Sequence, residues 1–185
     1  MQMRTYLLSI ILLPILSGSL LSRPAAAQDR GSGEYQVKSA MLYNLVKFVD
    51  WPREMSGDSQ SPFKVCVIGR NPFGSSLDNL NGKTIKGRKL QSVQLAHLEE
   101  MAACQVIFIS SSEKRNLAAI LDTANSSSPL TVSDISNFAD SGGMIGFVEV
   151  EGKVRLEINL EAARQANFKI SSQLLKLARI VRGGN

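Results

Sequence analysis

Residues 63–69 read FKVCVIG, a short run of apolar and β-branched residues bounded by Pro62 and Gly69. Such a run is typical of a β-strand. Because its apolar residues hardly alternate with polar ones, it predicts a strand that is buried on both faces of a sheet. Residues 104–110, CQVIFIS, repeat this pattern. Two buried strands of this kind predict a sheet that is covered by helices on both sides.

Segments with helical spacing lie before and after these strands. Apolar residues recur every three or four positions over residues 34–49, over residues 112–124 and in the segment that follows Ser171. The last of these stripes extends to Val181 and predicts a final helix. We therefore predict an α/β fold in which a mixed β-sheet is flanked by helices on both faces.

The antiparallel part of the sheet is expected late in the chain. Residues 144–150 and 153–159 are strand-like and are joined by a two-residue Glu-Gly turn, which predicts a β-hairpin. Because side chains alternate along a strand, Arg155, Glu157 and Asn159 share one polar face of the second arm. This face has no obligatory role in the core. It is either a surface for a partner or the solvated side of the hairpin.

The chain opens with the pattern of a cleavable export signal. A short basic start precedes a mostly apolar run, and three small residues at positions 25–27 (AAA) offer a cleavage site. We predict a signal peptide over residues 1–27 and a single domain over residues 28–185, with a loose lead over residues 28–33. The apolar run is interrupted and too short for a membrane span. No later segment is long and apolar enough to cross a membrane, so no membrane insertion is expected after cleavage.

The two cysteines, Cys66 and Cys104, belong to separate strands of the buried type. In an exported protein, an even number of cysteines predicts a disulfide. If the two strands are neighbours, the bridge restricts the unfolded chain and stabilises the fold by about 4 kcal/mol on the chain-entropy model. Two buried free thiols are the alternative.

Residues that carry catalytic or metal chemistry are scarce. The net charge of +5 is too small to indicate nucleic acid as a partner. A single histidine, His97, argues against a His-rich metal site, and neither a Gly-x-Ser-x-Gly elbow nor a phosphate-loop motif occurs. We predict no catalytic residues, no metal and no cofactor. A crevice at the carboxyl ends of the strands, near residues 69–74 and 110–112, leaves a small-molecule sensor or a cryptic hydrolase as the alternative.

Several short motifs resemble those of the YfiR-like family. They occur in the same order as in the family and are spread over nearly all of the predicted domain. They are YNLVKFVDWP at 43–52, CVIG at 66–69, IFIS at 107–110, LTVSD at 130–134, EIN at 157–159 and ISSQLL at 170–175.

The resemblance implies a periplasmic regulator and not an enzyme. The namesake of the family represses a membrane-bound diguanylate cyclase by binding its periplasmic sensor domain. An OmpA-like outer-membrane lipoprotein relieves that repression, and the output is cyclic-di-GMP and biofilm growth. By the same resemblance the protein is expected to form a homodimer.

The resemblance also bears on individual residues of this chain. It matches Cys66 and Cys104 to one disulfide of the family. The family's second cysteine pair, near the late hairpin, is absent from this chain, which argues against a redox-switch role and leaves a structural bridge. The partner surface carried over from the family lies on Arg155, Glu157 and Asn159.

Overall fold

The computed structural model describes residues 26–52 and 60–182. The signal peptide predicted over residues 1–27 lies almost entirely outside these ranges, and its cleavage stays a prediction. In the described part of the chain, no helix is both long enough and apolar enough to cross a membrane.

Helices and strands alternate along most of the chain. Short 3₁₀ helices follow α1 and precede β5 and α3, at Val46–Phe48, Leu98–Ala103 and Ser111–Asn116. The other elements are α1 Ala26–Leu45, β1 Val49–Asp50, β2 Phe63–Ile68, α2 Ser75–Asp78, β3 Thr84–Ile85, β4 Arg88–Gln94, β5 Val106–Ile109, α3 Leu117–Ser127, β6 Leu130–Ser133, β7 Ile145–Val150, β8 Lys153–Asn159, α4 Leu160–Gln165, β9 Lys169–Ile170, α5 Ser172–Leu175 and β10 Ala178–Val181.

Within the described residues, eight strands form one mixed sheet in the order β10-β8-β7-β6-β5-β2-β4-β3. Strands β4, β2, β5, β6 and β7 are parallel, whereas β7 and β8 form an antiparallel hairpin. Strand β10 is parallel to β8, and β1 pairs with β9 in a small second sheet. The predicted fold class, an α/β fold with a mixed sheet and a late antiparallel hairpin, is confirmed.

Both faces of the sheet carry a hydrophobic core. Along β2, Val65 and Val67 belong to the core that α1 and α2 cover, while Cys66 and Ile68 belong to the core that α3 covers. All four residues of β5 are buried. Because alternate side chains point to opposite faces, a strand that buries every residue needs cover on both. The burial predicted from the FKVCVIG stretch is therefore present.

The two cysteines form a disulfide within the core that α3 covers. Cys66 lies in β2 and Cys104 lies two residues before β5, and their Cα atoms are 6.1 Å apart. Strands β2 and β5 are neighbours in the sheet, so the bridge closes without displacing either strand. The two residues are 0% and 2% exposed. The predicted disulfide is confirmed.

Two segments differ from the sequence predictions. Residues 28–33, expected as a loose lead, are helical and belong to α1. The predicted final helix is wrong in its second half, because α5 ends at Leu175 and β10 follows. Ile180 and Val181 are β-branched and favour a strand, and the open edge of β8 offers β10 a partner. This pairing prevails over the helical spacing of the apolar residues.

The β7–β8 hairpin projects beyond the carboxyl edge of the sheet. Strand β6 pairs with β7 only at residues 145 and 146. On the other side, β10 pairs with β8 only from Leu156 onward. Residues 148–150 and 153–155 consequently pair only with each other. The tip of the hairpin is therefore an accessible element held on a rigid sheet.

Candidate functional site

The projecting hairpin and the middle of α1 border a groove of about 900 Å³. One wall comes from residues 33–37 of α1, and the other comes from the tip of the hairpin. We call this surface the α1–hairpin groove; its lining residues are Gly33, Glu34, Val37, Glu149, Gly152, Lys153, Val154 and Arg155.

Apolar side chains are exposed at this groove and at the adjoining tip of the hairpin. Val37 on α1 lines the groove and is 49% exposed, whereas Val150 lies at the hairpin tip outside the lining residues and is also 49% exposed. Charged residues of both signs, Lys153 and Arg155 among them, surround the apolar area. An exposed apolar patch with a charged rim is the composition of a protein-docking surface.

A buried ion pair holds the α1 wall of the groove against the sheet. The Lys38 ammonium lies 2.6 Å from Oδ2 of Asp134, the residue that follows β6, and both side chains are 6% exposed. The Tyr35 hydroxyl donates to the same oxygen at 2.7 Å, and Lys38 also pairs with Glu34 at 2.5 Å. Burial, and then the hydrogen bond to Asp134, raise the pKa of Tyr35 above its usual range. These contacts tie the middle of α1 to the end of β6.

Sequence reasoning did not find this cluster. Glu34 and Lys38 are four residues apart on a helix, a spacing that the sequence shows openly. Asp134, in contrast, is 96 residues from Lys38, and only the three-dimensional fold brings the two together.

The structure places the three predicted partner residues in different surroundings. Arg155 is exposed and lines the α1–hairpin groove. The Glu157 side chain is only 8% exposed and accepts hydrogen bonds from the Arg179 guanidinium of β10, one of them at 2.9 Å from Nε. This contact raises the pKa of Arg179. Glu157 therefore joins β8 to β10.

Asn159 has a structural role at the end of β8. Its side chain accepts from the Ala162 amide at 2.9 Å, as the N-cap of α4, and donates to the Ala139 carbonyl at 2.9 Å. The residue is 2% exposed. Contact with a partner stays a prediction for all three residues, but within this chain only Arg155 offers its side chain to a partner.

A second cavity lies at the point of the sheet where the connections that leave two neighbouring strands, β2 and β5, pass to opposite faces. After β2 the chain crosses to α2 on one face, and after β5 it crosses to α3 on the other. Ligands of open α/β sheets bind in the crevice at such a switch point. We call this cavity of about 470 Å³ the switch-point crevice; its lining residues are Ile68, Gly69, Leu95, Ala96, Leu98, Glu113, Asn116, Ala119 and Ile120.

The loops at this crevice are held closely together. The Arg70 amide donates to Oγ of Ser112 at 2.9 Å. Gly69 has a φ of +85°, and a Cβ atom there would lie 2.5 Å from the same Oγ. Glycine is therefore required at this position for both its backbone conformation and the close approach. The crevice lies beside residues 69–74 and 110–112, the turns near which the sequence predicts a pocket.

In the described part of the chain, the side chains that commonly bind metal ions are not brought together. No group of three or more His, Cys, Asp or Glu residues there could hold a metal ion. His97 is exposed and occupies the N-cap position of the 3₁₀ helix Leu98–Ala103. Glu100 accepts from the amides of Ala96 and His97, which lowers the pKa of its carboxyl group.

Comparison with known proteins gives the family. The family model DUF4154, described as YfiR/HmsC-like, matches residues 35–179. The chain belongs to the YfiR/HmsC-like family. This family consists of periplasmic regulators, so the chain's membership places it among regulatory proteins and not in an enzyme family. No curated protein matches this YfiR/HmsC-like chain.

Solved structures show the same fold at low sequence identity. An ABC domain in complex with L-Trp from Streptococcus pneumoniae is 11% identical with a TM-score of 0.53, and the match covers 80% of this chain and 60% of that one. A conserved domain protein from Vibrio cholerae is 14% identical with a TM-score of 0.50, covering 79% and 59%. The YfiR/HmsC-like chain thus spans about 60% of these proteins. The similarities show the fold alone.

Proposed function

We propose that this YfiR/HmsC-like protein is exported to the periplasm and represses a membrane-bound diguanylate cyclase by docking on its periplasmic sensor domain, which lowers cyclic-di-GMP. Family membership supports the regulatory role. The observation that carries the docking site is the α1–hairpin groove together with the adjoining hairpin tip: Val37 in the groove and Val150 at the tip are each 49% exposed beside charged residues. An OmpA-like outer-membrane lipoprotein that relieves the repression, and a homodimer, complete the proposal on the ground of the family.

Each part of the groove has its own task in docking. Burying the exposed half of each valine removes apolar surface from water, at about 25 cal/mol per Å². Lys153, Arg155 and Glu149 set the orientation of the partner and the rate of encounter, because charges at the rim of an interface contribute mainly to these. Residues 148–150 and 153–155 pair only with each other, so the projecting hairpin can enter a recess of the partner.

Repression then follows as a shift of populations. The docked protein lowers cyclase output only if it binds the inactive conformation of the sensor domain more tightly than the active one. A rigid surface suits this task, because it cannot adapt to both conformations. The buried contacts of Lys38 with Asp134 supply that rigidity on the α1 side of the groove.

The docking site is tested by a double substitution, Val37→Asp with Val150→Asp. We expect the affinity for the purified periplasmic domain of the cyclase to fall at least about tenfold, because two carboxylates enter an apolar contact and a tenfold change corresponds to only about 1.4 kcal/mol. Isothermal titration calorimetry measures the affinity. The melting temperature should change little, since both side chains are half exposed in the free protein.

The matched control is Leu177→Asp. Leu177 is 73% exposed and lies outside the lining of the groove, so the same change of chemistry there should leave the affinity within about twofold, the effect expected of a surface substitution away from a contact. Equal affinity of the double variant and the parent protein would remove the groove as the docking site.

The switch-point crevice supports a second candidate function, a periplasmic sensor of small molecules. A ligand that binds only the folded state raises the melting temperature by mass action, so a thermal-shift panel of periplasmic metabolites tests it. The cryptic hydrolase belongs to the same alternative and would require conversion of a ligand found in this way. A protein that represses a cyclase could also be tuned by such a ligand.

A further inference from the structure

We propose that the switch-point crevice binds a small molecule with an apolar body and a positively charged amine, and that Glu113 is the counter-ion of that amine. The inference goes beyond docking on a cyclase and does not depend on which protein the α1–hairpin groove binds. It deepens the sensor alternative by naming the chemical class of the ligand.

The position and size of the crevice suit a small ligand. It lies outside the carboxyl ends of the parallel strands, where the connections after β2 and β5 turn to opposite faces, and this is the usual binding place in open α/β sheets. Its volume of about 470 Å³ falls in the range of small-molecule pockets, roughly 300–1,000 Å³.

The floor and walls of the crevice are apolar and rigid. Ile68, Leu95 and Ile120 are 7%, 5% and 1% exposed, and all three belong to the core beneath α3. Leu98 packs against the same core. Core residues of this kind are held by close packing, so the crevice is largely pre-formed. The apolar residues of its lining suit a hydrocarbon or aromatic body of the ligand, beside the polar side chains of Glu113 and Asn116.

Glu113 gives the crevice its charge. It is the one charged residue among the described lining residues. Its Oε2 accepts a hydrogen bond from the side-chain amide of Asn116 at 3.0 Å, and its Oε1 accepts one from the Ser112 hydroxyl at 3.3 Å. A carboxylate has about four acceptor positions, so these two contacts orient Glu113 and leave capacity for an ammonium group. An anionic ligand would meet repulsion here.

The test compares two probes that share a body and differ in charge, 2-phenylethylamine and phenylacetate. With the full folded protein, we expect 2-phenylethylamine to give a saturable rise in melting temperature and phenylacetate to give none. The variant Glu113→Gln keeps the size of the side chain and removes its charge. We expect it to bind the amine at least tenfold more weakly, with an unchanged melting temperature in the absence of probe.

A second variant and a control separate the outcomes. Ala119→Trp fills the exposed side of the crevice and should abolish the shift with the amine, while Glu149→Gln in the α1–hairpin groove should leave it unchanged. The inference is overturned if millimolar amine gives no saturable shift, if phenylacetate stabilises equally, or if Glu113→Gln binds the amine as the parent does. Binding of the cyclase domain by the same preparations is measured separately, so failure here leaves the docking proposal standing.

Discussion

Replacing Asp134 with alanine should lower the free energy of unfolding by about 3–5 kcal/mol, the range found when one partner of a buried ion pair is removed. The substitution removes the buried partner of Lys38, whose own side chain is only 6% exposed. The remaining partner of Lys38 is Glu34, whose side chain is 37% exposed. The Tyr35 hydroxyl also loses its acceptor. Two side chains of α1 lose a partner by one change, because both converge on Asp134 at the end of β6.

Urea denaturation followed by circular dichroism measures this loss. The control is Asp50→Ala, which removes the pair of Asp50 with Lys86, whose side chains are 79% and 38% exposed; an exposed pair contributes about 0–1 kcal/mol. The double variant Lys38→Met with Asp134→Leu should recover much of the stability, because no unpaired charge remains buried. A loss for Asp134→Ala no larger than that of the control would contradict the structural role given to this pair.

Removing the disulfide should lower the free energy of unfolding by a similar amount. For a separation of 38 residues, the chain-entropy model gives about 4 kcal/mol, and native disulfides commonly contribute about 2–5 kcal/mol. Cys66 and Cys104 are 0% and 2% exposed, so reduction requires the core to open. The double variant Cys66→Ala with Cys104→Ala is therefore the direct test of the contribution.

Two observables should change together when the bridge is lost. The midpoint of urea unfolding should fall, and the dependence on urea should become steeper, since an unbridged unfolded chain exposes more surface. The parent protein unfolded and refolded in reductant serves as the reference, because it keeps both sulfur atoms. If the variant and the reduced parent unfold at the same urea concentration as the oxidised parent, the bridge has no structural role.

The sequence predicts the fold where the signal is local. The apolar runs that form β2 and β5 and the alternation along β8 depend only on neighbouring residues, and the structure contains all three strands. Helix N-caps are local features as well: the side chains of Asn159 and Ser171, both residue types that favour this position, each accept an amide hydrogen bond at the start of a helix.

Two of the errors, the final helix and the exposure of Glu157, come from one long-range pairing. The segment at β10 has helical spacing, but the open edge of β8 is available to it, and it pairs there as a parallel strand. The same strand brings Arg179 to Glu157 and so covers part of the face that was expected to be polar and open. The misplaced element and the misjudged burial of Glu157 therefore have a single physical cause.

The candidate sites were predictable only in part. The sequence indicates a pocket near the turn after β2, because the carboxyl ends of parallel strands meet at one edge. It does not indicate the α1–hairpin groove, since the groove depends on how far the hairpin projects past β6 and on the contact between Lys38 and Asp134. Both are properties of the assembled sheet.

Cellular cyclic-di-GMP in a deletion strain tests the central claim most directly. The strain is complemented with the wild-type gene or with the Val37→Asp, Val150→Asp variant, and the amounts of exported protein are matched. We predict that deletion raises cyclic-di-GMP, that the wild type restores the low level, and that the variant does not. No rise on deletion would contradict the assignment as a repressor of a diguanylate cyclase, and full restoration by the variant would contradict docking through the α1–hairpin groove.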